Sequence, residues 1–285
     1  MHRIKGALKR ALGTDSPTRN YYGSLSSLLC LLSLLCLLAC QLKPDRSWEQ
    51  IRARGFIRVG MEVSWVPFEY IDGSGQLAGL DVDLARTIGE RLGVEVQFLP
   101  TLSFDGLYDA LTANQVDIII SAVVIDLSRT ADYAYSTPYF DAGQVLVARP
   151  ERAGTIDEMK DLEGHTLAVE LGSEGDRVAR YWARRLRDLN LSHHDSIAAT
   201  LEAVATGQAD AALTDRTSAL LNCAGYHLRL SGQPVTGEQY AIVALKENGA
   251  LIRTIDDALI DLKTEGELDL LIQKWLCAGK SCCAP

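Results

Sequence analysis

The stretch Val116-Asp117-Ile118-Ile119-Ile120-Ser121-Ala122-Val123-Val124-Ile125-Asp126-Leu127-Ser128-Arg129, continuing from Thr130 to Phe140, decides how the rest of the chain is read. Ile118, Ile119, Ile120, Val123 and Val124 make a β-branched run that suits a strand covered on both faces, as in a parallel α/β sheet. Polar residues interrupt and then end the run: Ser121 within it, and Asp126, Ser128 and Arg129 after it. Open α/β sheets place their ligand crevice at loops leaving the carboxyl ends of strands. A guanidinium there is always charged and presents a planar fork matched to a carboxylate. Arg129 is therefore a candidate clamp for a small carboxylate ligand, although a solvated loop arginine would look the same in isolation.

Upstream, Gly79 to Leu92 (GLDVDLARTIGERL) repeats Leu80, Leu84, Ile88 and Leu92 every four residues and predicts an amphipathic helix. Asp81 and Asp83 fall in its first turn, where the helix dipole favours negative charge. A helix over 48–54, strands over 57–61 and 94–99, and a helix over 104–113 complete a β-α-β-α-β succession leading into the 116–124 run. Such a succession implies a parallel sheet with right-handed crossovers. Asp72-Gly73-Ser74-Gly75 reads as a hairpin tip.

Downstream, a strand over 143–148 runs into Pro150, and a second α/β unit follows. It comprises a strand over 165–171, the turn Gly172-Ser173-Glu174-Gly175, a helix to about residue 189, a helix over 200–206 and a strand over 209–213. A short helix includes Ala219, Leu220 and Leu221, and His193-His194 falls between elements. A strand over 240–245 returns to the first unit, followed by helices over 251–262 and 267–276. No low-complexity linker separates the units, so the second reads as an insertion into the first. The expected lobes are 40–147 plus 239–285, and 148–238. Segments near 144–150 and 234–242 would form the hinge, and ligands commonly sit at such interfaces.

Residues 1–39 read as a targeting segment. Arg3, Lys5, Lys9, Arg10 and Arg19 face a single Asp15, and Leu25 to Ala39 is 15 residues without a charge. That is short of the roughly 20 needed to span a bilayer but suits a signal-peptide core. The segment ends in Leu37-Leu38-Ala39-Cys40, which resembles the lipobox of bacterial lipoproteins. The resemblance implies cleavage before Cys40 and acylation there; acyl chains, at about 0.8 kcal/mol per buried CH2, would make a firm anchor. An ordinary signal peptide or a retained anchor are the alternatives.

Without the leader's five basic side chains and one acid, 246 residues remain, with 23 basic and 36 acidic side chains and a net charge of −13. The length allows two lobes with sizeable cores. The charge argues against nucleic acid and anionic lipid and is compatible with small cations. Cys223, Cys277, Cys282 and Cys283 would lie in an oxidising compartment, where disulfides persist. Four cysteines permit three complete pairings, among which the sequence does not choose. No C-x-x-C pair suggests a zinc site, and no cofactor motif is present.

With these residues in view, the chain resembles the bacterial extracellular solute-binding proteins of family three, the polar amino-acid type, over roughly Ile51 to Leu276. GLDVDLARTIGERL carries the resemblance most specifically. Arg58-Val59-Gly60, Pro67-Phe68-Glu69, the Ser121 to Arg129 spacing, Thr137-Pro138-Tyr139, the Gly207 to Asp215 block and Lys274-Trp275-Leu276 support it. The implied fold is an α/β, two-lobed periplasmic-binding-protein type 2 clamshell, each lobe a mostly parallel sheet flanked by helices. The implied role is a membrane-tethered, non-enzymatic, monomeric binding component that delivers an amino acid to ABC permease and ATPase subunits. It would work at the periplasmic or extracellular face of the envelope, anchored through Cys40.

The resemblance also implies site residues. Arg129 would hold the ligand α-carboxylate and Asp215 the α-ammonium from the other lobe; without the family, Asp215 reads equally as a helix N-cap. Trp65 and Phe104 would sandwich the ligand side chain, or else be core aromatics. Ser121 and Ala122 would offer carbonyls and a hydroxyl. Ser173 and Glu174, with Gly172 and Gly175, form a turn whose N–H groups suit a carboxylate. Val124 stands where the family often has Ser or Thr, which leaves only main-chain contact there. Glu62 and Glu170, beside two aromatics, favour a cationic side chain such as that of arginine, lysine or ornithine, unless they face solvent or pair with an arginine. The alternatives are a cyclohexadienyl dehydratase-like enzyme, with Glu62, Glu170 or Glu174 as acid, and a ligand-sensing subunit.

Overall fold

The structure, a computed structural model, describes residues 44–100 and 103–277. The leader, Cys40, Cys282 and Cys283 lie outside the described residues.

In chain order, the first elements are α1 (Ser47–Arg54), β1 (Phe56–Gly60), β2 (Ser64–Trp65), β3 (Glu69–Ile71) and β4 (Leu77–Ala78). Next come α2 (Leu80–Leu92), β5 (Glu95–Leu99), α3 (Phe104–Thr112), β6 (Ile118–Ile119), β7 (Tyr133–Tyr135) and β8 (Phe140–Asp141). The middle of the chain forms β9 (Gln144–Ala148), β10 (Thr166–Glu170), α4 (Glu174–Ala183), β11 (Asn190–His194), α5 (Ile197–Ala205), β12 (Ala211–Asp215), α6 (Arg216–Asn222) and β13 (Arg229–Ser231). The last elements are β14 (Gln239–Tyr240), β15 (Val243–Leu245), α7 (Gly249–Thr264) and α8 (Glu267–Leu276).

Two five-stranded sheets organise these elements. The first has the order β5-β1-β6-β15-β7 and the second β11-β10-β12-β9-β13. In each, two adjoining pairs are parallel and two are antiparallel. The sheets are therefore mixed, where the sequence reading expected them to be mostly parallel. The antiparallel strands are those on which the chain returns without a crossover helix, and periodicity alone does not reveal that direction.

Both sheets are covered on both faces. In the second, Val145, Val147, Ala168 and Ala212 enter one core, while Leu146, Ala148, Leu167, Val169, Ala211 and Leu213 enter the other. This is the period-two alternation of a strand, and apolar residues at every position fill both sides. In the first, Ile118 and Ile120 pack with Leu80, Leu84 and Ile88 of α2, and Ile119 packs with Leu107 and Leu111 of α3.

The β-branched run from 118 to 124 does not form one continuous strand. Pairing by β6 stops at Ile119, and Ala122 adopts a left-handed conformation with φ 44°. Further departures are local. Asn190–His194, read as lying between elements, is the strand β11 at the edge of the second sheet. The helix expected to reach about residue 189 ends at Ala183.

Gln144–Ala148, of which the sequence reading placed 144–147 in the first lobe, pairs as a strand with β12 and β13 of the second sheet. The two chain segments that pass between the sheets pair with each other, β8 antiparallel to β14. Asp141 ties them: its Oδ1 accepts the N–H groups of Gly143 and Glu238, at 2.9 and 2.8 Å. Among the described residues, no helix is long and apolar enough to cross a membrane.

Candidate ligand-binding site

The loop following β6 is held against the paired crossing segments: Ile125 N–H donates to the Gln239 carbonyl, and Ala241 N–H to that of Val123. Beyond it, Asp126 caps the turn Leu127–Arg129 by accepting the Ser128 N–H at 2.9 Å. Arg129 projects from this turn. Its guanidinium lies 4.3 Å from the centroid of the Tyr108 ring and 3.3 Å from Asp126 Oδ2. The side chain is 49% exposed, so an aromatic steadies one face of the fork, Asp126 pairs with its Nε, and the fork is otherwise half open to solvent.

The other residues singled out in this part of the chain differ in exposure. Trp65, on β2, is 56% exposed, and Phe104, at the start of α3, is 48% exposed. Neither is a core aromatic, so of the two readings weighed from sequence the buried one is corrected. Val124 is also exposed, as is Leu127 beside Arg129. Glu62 is partly buried; its Oε1 accepts the Ser64 hydroxyl at 3.0 Å.

Ser121 is turned inward. Its hydroxyl donates to Glu69 Oε1 at 2.8 Å and accepts the Glu62 N–H at 2.9 Å. The expected ligand-facing hydroxyl is thus corrected, because a buried carboxylate takes its proton. Ala122 N–H likewise points inward, to Asp81 Oδ2 at 2.6 Å. In a trans peptide the carbonyl lies opposite the N–H, so the Ser121 carbonyl faces away from Asp81.

On the second sheet, Asp215 ends β12 and caps α6, accepting the Ser218 N–H at 2.8 Å. The N-cap reading is what the geometry shows for one carboxylate oxygen. Ser173 caps α4: its Oγ accepts the Asp176 N–H at 3.1 Å and donates to the Glu170 carbonyl at 2.8 Å. Gly172 N–H donates to Asp176 Oδ2, and Ser173 N–H to the Glu170 carbonyl. Two N–H groups that sequence offered to a carboxylate, those of Gly172 and Ser173, are therefore engaged within the turn itself. Glu174 pairs with Arg177, Oε2 to Nε at 2.7 Å, and this bond holds the Glu174 carboxyl below its ordinary value.

A convergence that sequence reading missed lies beside these residues. Burial raises the Glu238 carboxyl above its usual range, and repulsion from Asp215, Glu174 and Asp141 adds to the rise. Four acids drawn from β8, α4, β12 and the segment before β14 thus share one field. Nothing in the local sequence around Glu238 marks it, because its partners are remote in the chain. Gln144, buried and directly opposite Asp215 in the β9–β12 register, places its Oε1 in this neighbourhood, 2.9 Å from where a side chain at Gly175 would begin. Among the described residues there is no cluster of three or more metal-ligating side chains.

Residues 57–278 match the bacterial extracellular solute-binding proteins, family 3, and the chain belongs to that family. It is a solute-binding, non-catalytic type that works outside the cytoplasm, and its members serve ABC importers as amino-acid-binding proteins. The L-cystine-binding protein TcyJ of Escherichia coli (strain K12) is 28% identical over 229 residues, covering 79% of this chain and 84% of that one. An ancestral cationic amino acid solute-binding protein is 30% identical with a TM-score of 0.59, over 80% of this chain and 98% of that one. An ancestral cyclohexadienyl dehydratase is 27% identical with a TM-score of 0.70, over 82% and 98%.

Proposed function

We propose that this protein is a lipid-tethered receptor for a free amino acid with a cationic side chain, which it encloses between two lobes and hands to an ABC permease. The first lobe holds the sheet built on β1 and the second the sheet built on β10, and the paired segments β8 and β14 act as the hinge. Arg129 receives the α-carboxylate from one side, and Asp215, through the oxygen its capping bond leaves over, receives the α-ammonium from the other. Trp65 and Phe104 enclose the side chain, with Val124 and the Ser121 carbonyl contributing main-chain and apolar contact. Glu62, Glu170, Ser173 and Glu174 complete the set, and acylated Cys40 anchors the whole.

The observation that carries the cationic preference is the convergence of Asp141, Glu174, Asp215 and Glu238. A carboxyl raised by neighbouring acids, as Glu238 is, gains from a bound positive charge. The similarity to an ancestral cationic amino acid binder supports the same reading. Cystine is the alternative ligand, favoured by the likeness to TcyJ, and it too carries a second ammonium. A dehydratase would need a general acid that stays protonated near neutral pH, and Arg177 keeps Glu174 from that role.

A thermal-shift screen of the mature chain against the common amino acids and cystine tests the proposal, since a tight ligand raises the midpoint by mass action. Arginine, lysine or ornithine should raise it, and Arg129→Ala should remove the rise. A response to cystine alone would sink the cationic reading. Turnover of prephenate or arogenate would replace binding with catalysis.

A further inference from the structure

Glu69 and Asp81 lie side by side inside the first sheet's core, 1% and 0% exposed. Glu69 Oε1 accepts the Ser121 hydroxyl at 2.8 Å, and Asp81 Oδ2 accepts the Ala122 N–H at 2.6 Å and the Tyr139 hydroxyl at 2.9 Å. The remaining oxygens, Glu69 Oε2 and Asp81 Oδ1, are buried without a hydrogen-bond partner. Two ionised carboxylates could only accept and would leave both oxygens orphaned; one proton between them satisfies both.

The surroundings require that proton. The charges acting on Glu69 are those of Asp81 and Glu62, both acidic, and the other titratable groups facing the pair are the Tyr139 and Tyr240 hydroxyls. Burial first, then repulsion from Asp81, pushes Glu69 up to about 10, while burial raises Asp81 to about 6. A second buried charge without a cation would be costly.

The pair reaches the candidate site through three bonds. Asp81 holds Ala122 in the left-handed region, at φ 44°, which residues with a Cβ rarely adopt. That turns the Ser121 carbonyl away from the core. Glu69 orients the Ser121 hydroxyl, which in turn holds the Glu62 N–H. We propose that Glu69 and Asp81 share a single proton and act together as positioning residues for the ligand site, fixing the Ser121–Ala122 peptide and Glu62 in the geometry that receives the amino acid. The positioning role rests on the binding function proposed above; the shared proton does not.

Two measurements separate these parts. Glu69→Gln reproduces the protonated form, its amide donating to Asp81 and accepting from Ser121, whereas Glu69→Ala removes both bonds. In melts without amino acid, the wild-type Tm should fall relative to Glu69→Gln by about 5 °C or more between pH 7 and pH 9, because only the wild-type folded state holds a proton that the unfolded chain releases. Parallel profiles would overturn the shared proton.

In titrations with L-arginine and L-cystine at pH 7, Glu69→Gln should bind within about twofold of wild type and Glu69→Ala about tenfold or more weakly, the loss expected for a hydrogen bond to a charged group. Ser121→Ala, which cuts the link to Glu62 while leaving the carboxyl pair in place, should weaken binding severalfold and serves if Glu69→Ala does not fold. Unchanged affinity in a folded Glu69→Ala or Ser121→Ala protein would overturn the positioning role. If wild type binds neither probe, the functional reading fails, and the melts still decide the proton.

Discussion

The indole nitrogen of Trp275 donates to Asp83 Oδ2 across 2.9 Å, and Lys274 Nζ reaches the same oxygen at 2.6 Å. Two sequence elements almost two hundred residues apart, the acid-patterned start of α2 and the Lys-Trp-Leu of α8, are thereby one structural feature. Asp83 is otherwise placed where a helix N-terminus welcomes an anion. Trp275→Phe removes a single bond to this carboxylate, and we expect a loss of about 1–2 kcal/mol in urea unfolding. Asp83→Ala should cost more than Asp83→Asn, since asparagine still accepts from the indole.

Asp117 contributes to the acid side of the stability profile. Burial alone would raise its carboxyl, but hydrogen bonds from Arg58, from the Arg58 N–H and from Arg54 outweigh it and hold the group below its ordinary value. A carboxyl lowered by folding stabilises above its unfolded value and loses that contribution as pH falls through the folded one. Asp117→Asn should therefore destabilise at pH 7 and shrink the wild type's loss of Tm below about pH 4. Superimposable acid arms in circular-dichroism melts would refute this.

Arg129 offers a test that retains charge. Its guanidinium stacks at 4.3 Å on Tyr108. Lysine there keeps the positive charge but loses the planar fork and the stack. Arg129→Lys should weaken binding of the screened amino acid by about tenfold or more, with little change in Tm because the side chain is half exposed. Calorimetric titration showing wild-type affinity would remove Arg129 from the carboxylate site.

Gly143 sits where the two crossing segments touch. A Cβ there would lie 1.8 Å from the Thr236 carbonyl oxygen, a distance no real contact tolerates. Gly143→Ala must push backbone from backbone, so we expect a loss of more than about 2 kcal/mol. The same substitution at Gly73, which has open space around it, serves as the control and should be close to neutral.

Much of the scaffold is readable because it is written in local periods. Helix α2 follows its four-residue apolar repeat to within a residue, and α8 spans the expected 267–276. Strands with apolar residues at every position, such as β9 and β10, stand out for the same reason. Asn190–His194 does not, since a polar edge strand owes its existence to β10 alongside it, and its His193 is held by Asp176 from α4 at 3.1 Å. The 118–124 run misled because its interruption at Ala122 comes from Asp81, which no window around residue 122 contains.

From its sequence alone, this protein's α/β fold class and its family are determined, because hydrophobic period and motif spacing are properties of neighbouring residues. Tertiary structure alone decided that Ser121 turns inward to Glu69, that Trp65 and Phe104 are half exposed, and that Asp215, Glu174 and Asp141 bear on the Glu238 carboxyl. Hydrogen bonds and electrostatic repulsion depend on distance in space, and the chain brings those groups together only when both sheets are built.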